Sequence, residues 1–262
     1  MKILLTFDVE EFDYIKDENE KFELSKQGLL SITNLLDKHK IKATFFTTAL
    51  FAKKYPILIK NLEAKGHEIA CHGYCHLDSY LKDISKIKEA KKEIESLGIK
   101  ISGFRAPRFE IKNIADIGDF GFIYDSSTHP TIAPGKYLNL SEKRVIHKKK
   151  NIIEVPLSTL PLIPFLRAPI NWYMFRHFPE IYNRLYTKIN NLFSDYTMLI
   201  FHPWEFVNLK NLEIPSNLKK NSGRASLKIL ENYLLFCQKN NYKFETISSY
   251  LEKSFTLPRK IF

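Results

Sequence analysis

Short apolar runs alternate with amphipathic runs along most of this chain, and no other feature of the sequence constrains its fold as strongly. Ile3 to Phe7 is an apolar run, and Leu24 to His39 then places leucines and isoleucines at mostly helical spacing. The same pattern predicts further strands at Ala43–Thr48, Glu68–Cys71, Ile101–Arg105, Phe122–Tyr124, Ile152–Val155, Met198–Phe201 and Tyr242–Glu245, and further helices at Tyr55–Lys65, Leu81–Leu97 and Ala225–Lys239. Repeated strand–helix units indicate a mainly parallel sheet covered by helices, either an open doubly wound sheet or a barrel of about seven or eight strands.

The composition is that of an ordinary globular protein. Hydrophobic side chains make up 44% of the 262 residues and charged ones 26%, which excludes a disordered chain. No interdomain linker is visible, so we expect one domain over residues 1–262. Five prolines among apolar and aromatic residues forbid a regular helix through Pro156–Pro179, and we expect an ordered insertion or lid there.

Charge and cysteine content bear on partners and location. Forty Lys and Arg against 29 Asp and Glu give a net charge of +11, which favours anionic partners. The three cysteines form no disulfide framework and indicate a reducing compartment. We find no targeting segment and no apolar run of about 18 residues, the length that a membrane-spanning helix needs. A cytoplasmic protein is therefore expected, with the inner membrane surface as a further location.

Two carboxylates follow the first predicted strand. Because strand side chains alternate, Asp8 and Glu10 point to one side while Val9 points to the other. The carboxyl ends of parallel strands form the floor of a barrel's active site, so the pair suggests a base next to a metal ligand. The alternative is two exposed acids at the start of a loop.

Two histidines follow the strand that ends at Cys71. His72 and His76 can aim at one point if the segment turns helically, which is how two imidazoles hold a divalent metal. The alternative is a pair of surface histidines. Cys71 and Cys75 lie one position away from the histidine face, and we interpret them as buried core side chains.

Polar residues also end two other predicted strands. Arg105 precedes Pro107 and can form an ion pair with a catalytic carboxylate, holding it ionised. His202 follows a late hydrophobic strand at the same rim. Each residue alone is most often structural, but four such clusters at four strand ends indicate an active site.

In these motifs and in their order, residues 1 to 205 resemble the polysaccharide deacetylases, carbohydrate esterase family 4. The family's Thr-Phe-Asp-Asp is matched by Thr6 to Glu10, with the metal carboxylate displaced to Glu10. This Asp-x-Glu spacing resembles the subgroup of intracellular peptidoglycan deacetylases and allantoinase-like enzymes. The resemblance implies a distorted (β/α) barrel of about seven strands with a divalent-metal site.

The resemblance also implies roles for individual residues. Asp8 is the expected base, Arg105 orients it and His202 is the general acid. Glu10, His72 and His76 are the expected metal ligands. The family's later Asp-x-x-Asp-Trp motif is absent, and Glu154 is the candidate for its acid and Trp172 for its aromatic wall. The backbone N–H of Arg108 would hold the oxyanion. Tyr124 is a further candidate for contact with substrate.

The implied activity is hydrolysis of an N-acyl group, N-acetyl first, on an amino sugar of a cell-surface polysaccharide or its lipid-linked precursor. A deformylase, a ring amidohydrolase and a catalytically silent glycan-binding barrel are the alternatives. One carboxylate and two imidazoles suit zinc first, and also cobalt, nickel or iron. We expect contact with an anionic membrane surface and no nucleic-acid partner, and the sequence leaves the oligomeric state open.

Overall fold

The computed structural model describes residues 1–76, 83–111, 117–133, 137–163 and 166–256. The strands of its main sheet are β1 (Lys2–Val9), β2 (Thr44–Thr47), β3 (Glu68–Cys71), β4 (Gly103–Phe104), β5 (Tyr124–Asp125), β8 (His147–Lys149), β9 (Ile152–Glu154), β12 (Tyr196–Phe201) and β13 (Lys243–Glu245). Their order in the sheet is β12-β1-β2-β3-β4-β5-β9-β8, and β13 pairs with the amino-terminal part of β1. The seven strands from β12 to β9 are mutually parallel, which confirms the predicted parallel barrel.

Helices cover the outside of the sheet. They are α1 (Glu18–Lys38), α2 (Ala49–Lys54), α3 (Pro56–Ala64), α4 (Ile84–Glu95), α5 (Trp172–His177), α6 (Glu180–Asn190), α7 (Ser216–Lys219), α8 (Arg224–Lys239) and α9 (Ile247–Thr256). The predicted helix at 81–97 is confirmed as α4, and residues 81–82 lie outside the described residues. In the part of the chain that is described, no helix combines the length and the apolar character needed to cross a bilayer.

The described residues of the Pro-rich segment do not form one regular helix. It contains the antiparallel pair β10 (Thr159–Ile163) and β11 (Leu166–Pro169), followed by the short helix α5. Pro161 and Pro169 lie in the hairpin, and Pro164 falls outside the described residues. A second small hairpin, β6 (Ile132–Ala133) with β7 (Tyr137–Leu138), lies earlier in the chain. The expected domain bounds, 1–262, stay a prediction.

Strand β1 shows how the sheet positions the site. Leu4 packs into the interior of the barrel with Phe46 and Met198, whereas Leu5 and Phe7 pack in the layer between sheet and helices. Alternation along the strand places Asp8 on the same face as Leu4. The first carboxylate therefore points inward, at the carboxyl edge of the sheet.

Candidate active site and metal centre

The predicted site residues converge at the carboxyl edge of the barrel. Asp8 is the penultimate residue of β1, and His72, Arg105 and His202 directly follow β3, β4 and β12. These strands run parallel, so their ends lie at one edge of the sheet. All four residues are largely buried, and their side chains contact one another either directly or through Glu10.

Glu10, His72 and His76 form a group that could hold a metal ion. Glu10 Oε2 lies 3.1 Å from His72 Nε2 and 2.5 Å from His76 Nε2, and the two imidazole nitrogens are 3.5 Å apart. Ligand atoms about 2.0–2.1 Å from a tetrahedral ion would lie roughly 3.3 Å from one another. The three side chains therefore fit a divalent ion, and their ligand atoms all lie within 4.8 Å.

A loop with a glycine turn brings the imidazoles of His72 and His76 together. The segment from His72 to His76 is an irregular loop, so the helical turn that we expected is wrong. Gly73 has φ +73°, and a Cβ there would lie 3.2 Å from Pro107 Cγ. Glycine is thus required both for the left-handed turn and for the close approach to the next loop. Cys71 is fully buried, and burial raises the pKa of its thiol to about 12, as expected of a core residue.

Each imidazole, of His72 and of His76, makes a further contact that orients its ring. The Nδ1 of His72 lies 2.8 Å from the backbone carbonyl of Arg105, which fixes that nitrogen as the donor and leaves Nε2 free to bind a metal. His76 Nδ1 lies 3.1 Å from Asp13 Oδ2. Glu11 accepts the backbone N–H of His76 at 3.0 Å. The predicted register is confirmed, because Glu10 faces the imidazoles and Glu11 supports the loop from another direction.

Asp8 and Arg105 form a buried ion pair. Arg105 Nη1 donates to Asp8 Oδ1 at 2.7 Å and to Thr6 Oγ1 at 2.9 Å. The other side of the guanidinium donates to the backbone and hydroxyl oxygens of Ser126, each at 3.1 Å, and its plane lies 4.0 Å from the Phe46 ring centroid. Asp8 Oδ2 is left facing His72 Nε2, 3.7 Å away. The arginine thus holds one carboxylate oxygen and leaves the other directed at the site.

His202 has a carboxylate partner that the sequence reasoning missed. Glu205 Oε1 accepts the backbone N–H of His202 at 2.6 Å and lies 3.1 Å from its Nδ1. His202 Nε2 then faces Glu10 Oε1 at 3.9 Å. The signal for this pairing was present in His202-Pro203-Trp204-Glu205, because a short helical turn brings a glutamate at i+3 back to the residue that precedes the turn.

Two tryptophan rings contact His202. The Trp204 ring stacks on His202 at a centroid distance of 5.2 Å, and the Trp172 ring meets it edge-on at 5.9 Å. Trp172 thus lies beside His202, and its contact with substrate stays a prediction. The buried guanidinium of Arg176 lies 5.3 Å from the Trp172 ring centroid and 5.7 Å from that of Trp204, and its Nε is 3.9 Å from Glu205 Oε2.

Burial and neighbouring charges act in opposite directions on the ionisable groups. Burial alone would raise the pKa of Glu10, but His76 and His202 outweigh it and hold that pKa well below its usual range. Burial alone would lower the pKa of His202, but Glu10 and then Glu205 raise it above its ordinary value. The carboxylates around His202 therefore favour its protonated form, and its Nε2 is directed into the site.

Two of the predicted substrate contacts are wrong. Tyr124 is fully buried, and its hydroxyl donates to Glu68 at the amino end of β3, the opposite edge of the barrel from the site. Glu154 is also fully buried. Its Oε1 accepts the backbone N–H of Thr128, and its other neighbour is the carboxyl group of Asp125. The acid beside His202 is Glu205 instead.

Arg108 lies at the mouth of the site in an unusual backbone conformation. Its φ is +54° and that of Phe109 is +61°, left-handed values that are uncommon for residues other than glycine. Its guanidinium approaches Asp13 Oδ2 at 3.5 Å and the carbonyl of His76 at 3.4 Å. A contact between its backbone N–H and an oxyanion stays a prediction.

The sequence of the amino-terminal part matches a known family. The polysaccharide deacetylase family matches residues 2–115, the segment that carries Asp8, Glu10, His72, His76 and Arg105. A peptidoglycan-N-acetylmuramic acid deacetylase of Bacillus subtilis is 33% identical over 72 residues, which cover 28% of this chain and 27% of that protein. A chitooligosaccharide deacetylase of Sinorhizobium fredii is 40% identical over 47 residues, 18% of this chain and 22% of that protein. The chain thus spans about a quarter of the length of these two relatives.

Solved structures share the fold over nearly the whole chain. A protein assigned as a polysaccharide deacetylase from Mycobacterium smegmatis superposes with a TM-score of 0.66 at 18% identity, over 100% of this chain and 93% of that one. The allantoinase Puue superposes with a TM-score of 0.64 at 15% identity, over 95% and 88%.

The fold is the barrel of the polysaccharide deacetylases. Residues 2–115, which carry Asp8, Glu10, His72, His76 and Arg105, match the polysaccharide deacetylase family.

Proposed function

We propose that this protein is a metal-dependent hydrolase that removes an N-acyl group, N-acetyl first, from an amino sugar of a cell-surface polysaccharide or its lipid-linked precursor. One observation carries the proposal. Asp8, the Glu10/His72/His76 group and His202 surround one point, with ring nitrogens and carboxylate oxygens 2.5 to 3.9 Å apart. A base, a metal-binding group and an acid around one point are the set that amide hydrolysis requires.

A metal ion would be held by Glu10, His72 and His76. A divalent ion bound there supplies Lewis acidity, polarising the acyl carbonyl and lowering the pKa of a water molecule. One carboxylate oxygen and two imidazole nitrogens suit zinc first, with cobalt, nickel and iron as alternatives.

The remaining chemistry belongs to the chain's own side chains. Asp8 accepts a proton from the attacking water through the oxygen that Arg105 leaves free. His202 donates its Nε2 proton to the departing nitrogen as the C–N bond breaks. The products are a carboxylic acid and a free amino sugar. Glu205 holds His202 in the orientation that directs Nε2 inward, and the Arg108 backbone N–H is the proposed donor to the oxyanion.

The substrate proposal draws on the relatives and on charge. The peptidoglycan and chitooligosaccharide deacetylases are named for N-acetylated sugar polymers. The net charge of +11 supports an anionic or lipid-phosphate-linked glycan and a place at the cytoplasmic membrane face. The three free cysteines, all buried, are compatible with the reducing compartment that this location requires.

Ring amidohydrolysis is the second candidate, because the allantoinase Puue shares the fold at a TM-score of 0.64. Deformylation would use the same residues on a smaller acyl group. A silent glycan-binding barrel is disfavoured, since binding alone does not require a base, three metal ligands and an acid around one point.

Zinc-reconstituted protein should be incubated with N-acetylglucosamine oligomers, their N-formyl analogues and allantoin. We expect acetate and free amine in equal amounts from the first substrate, and none from the Asp8→Asn variant. Preferential formate release would support the deformylase, and ring opening the amidohydrolase. Tight glycan binding with no release of acid from any substrate would refute hydrolysis.

A further inference from the structure

Helix α6 presents its apolar side to solvent. Ile181, Leu185 and Ile189, spaced four residues apart, are 56%, 49% and 42% exposed. Leu192 and Phe193, just beyond the helix, are 76% and 51% exposed. We call these five residues the α6 apolar stripe. Solitary exposed apolar side chains are ordinary, whereas a continuous stripe along a helix indicates an interaction surface.

The buried side of the same helix carries the Tyr186 ring, which packs in the core, and polar side chains that make hydrogen bonds. Asn190 donates to the carbonyl of Tyr196 at 2.8 Å and to Thr197 Oγ1 at 2.9 Å. Thr187 Oγ1 lies 2.7 Å from the hydroxyl of Tyr233 on α8. The helix is therefore held on the barrel by these hydrogen bonds and by the packing of Tyr186. The stripe makes no contribution to the core, so folding of the monomer does not explain it.

Cations line the groove beside the stripe. An open groove of about 560 Å³ lies between α6 and α8, and its apolar walls include Ile181, Leu185 and Phe236. Arg184, Lys188 and Lys239 also line it, and none of the lining residues is a carboxylate. Glu180, at the start of α6, pairs with Arg184 at 3.0 Å, while Lys188 and Lys239 have no ion pair within the described part of the chain.

We infer that the α6 apolar stripe and this groove dock the protein on an anionic phospholipid bilayer. An apolar stripe rimmed by Lys and Arg matches the boundary between acyl chains and anionic headgroups. The stripe enters the interface, and Lys188 and Lys239 meet the lipid phosphates. A second copy of the chain is a poorer occupant, because a twofold contact would bring the three cations of each groove against those of the other. The docking surface does not depend on the proposed chemistry.

The test uses the purified chain with vesicles of phosphatidylcholine, alone or with about a third of phosphatidylglycerol. Co-sedimentation should show binding to the anionic vesicles only, and binding should weaken as salt is raised. The double variants Leu185→Ser/Ile189→Ser and Lys188→Gln/Lys239→Gln should each bind roughly tenfold more weakly, because each removes one of the two contributions. The pair Ile57→Ser/Lys60→Gln makes the same kinds of change on the exposed surface of α3 and should bind like the wild type.

Three results would overturn the inference. The first is equal or no binding to the two kinds of vesicle. The second is anionic binding that both groove variants retain while their melting temperatures match the wild type. The third is a wild-type dimer in solution that Leu185→Ser/Ile189→Ser converts to a monomer, since a second copy would then cover the stripe. Acetate release from a soluble oligomer is measured in parallel, so loss of docking and failure of the proposed chemistry are distinguished.

Discussion

Glu205 Oε1 contacts both the backbone nitrogen of His202, at 2.6 Å, and its Nδ1, at 3.1 Å. This fully buried carboxylate therefore sets the orientation of the imidazole and contributes to its raised pKa. Glu205→Gln preserves an acceptor of the same size but removes the charge, so the pKa of His202 should fall. Because the acid must be protonated, the basic limb of the kcat/KM profile should move to lower pH. Activity on the alkaline side should fall about tenfold for each pH unit of that displacement.

The control is Glu213→Gln, the same substitution at an exposed position. It should leave the profile unchanged. A Glu205→Gln enzyme whose rate falls equally at every pH would show that the carboxylate only supports the fold.

Asp8 is the residue whose loss should affect turnover most directly. Asp8→Asn retains an oxygen for Arg105 Nη1 but cannot accept a proton, so kcat should fall about 10²- to 10⁴-fold. Bound metal, measured by elemental analysis, should remain stoichiometric because Asp8 is outside the ligand group. Asp37→Asn, on the surface of α1, is the control. Wild-type turnover in Asp8→Asn would remove Asp8 from the mechanism.

The metal group can be tested without activity. His72→Ala with His76→Ala removes both imidazoles, and one carboxylate alone should not retain an ion through gel filtration. His147→Ala with His177→Ala makes the same change at two histidines outside the site and should keep the full equivalent. If the site variant keeps its metal, the ligands have been assigned wrongly.

The buried pair of Asp125 and Glu154 predicts a pH-dependent stability. Burial, together with Asp125, raises the pKa of Glu154 well above its usual range. Above the ordinary glutamate pKa of about 4.3 the unfolded chain has released a proton that the folded chain keeps, so stability falls as pH rises, by about 1.4 kcal/mol per pH unit, until the folded-state pKa is passed. Glu154→Gln keeps a donor toward Asp125 without a titrating proton, and it should escape this loss.

Urea denaturation of Glu154→Gln and wild type should therefore give free energies of unfolding that diverge from about pH 4 towards neutrality, with the variant more stable. Exposed Glu110→Gln is the control. A difference in the free energy of unfolding that does not vary with pH would contradict the raised pKa of Glu154.

Trp172 and Tyr124, both predicted at the substrate, should now behave differently. Trp172→Ala removes the ring beside His202 and should raise KM about tenfold, a loss of roughly 1.4 kcal/mol of binding, with the metal retained. Tyr124→Phe should leave KM unchanged and lower stability by about 1 kcal/mol, because Glu68 loses a hydrogen-bond donor. A raised KM in Tyr124→Phe would contradict its position at the far edge of the barrel.

The parallel barrel and the convergence of Asp8, Glu10, His72, Arg105 and His202 were predictable from the sequence, because both depend on local patterns. Strand alternation separates Glu10 from Glu11, and parallel strands bring their carboxyl ends together whatever the loops do. The family resemblance added the individual roles to this arrangement.

Other features depended on the tertiary structure. Tyr124 follows the same strand pattern as the site residues, but only the tertiary structure shows that its side chain crosses β4 at Gly103 and that its hydroxyl reaches Glu68 on β3. His72 and His76 meet through a glycine turn held against Pro107, which lies 34 residues after Gly73 in the chain, so their spacing alone predicted a wrong helical turn. Likewise, which side of α6 faces water was decided by the packing of Tyr186 in the core and by the contact of Thr187 with Tyr233, 46 residues further along the chain. The periodicity of a sequence shows which residues share one side of a helix or strand. What packs against each side depends on contacts between segments far apart in the chain.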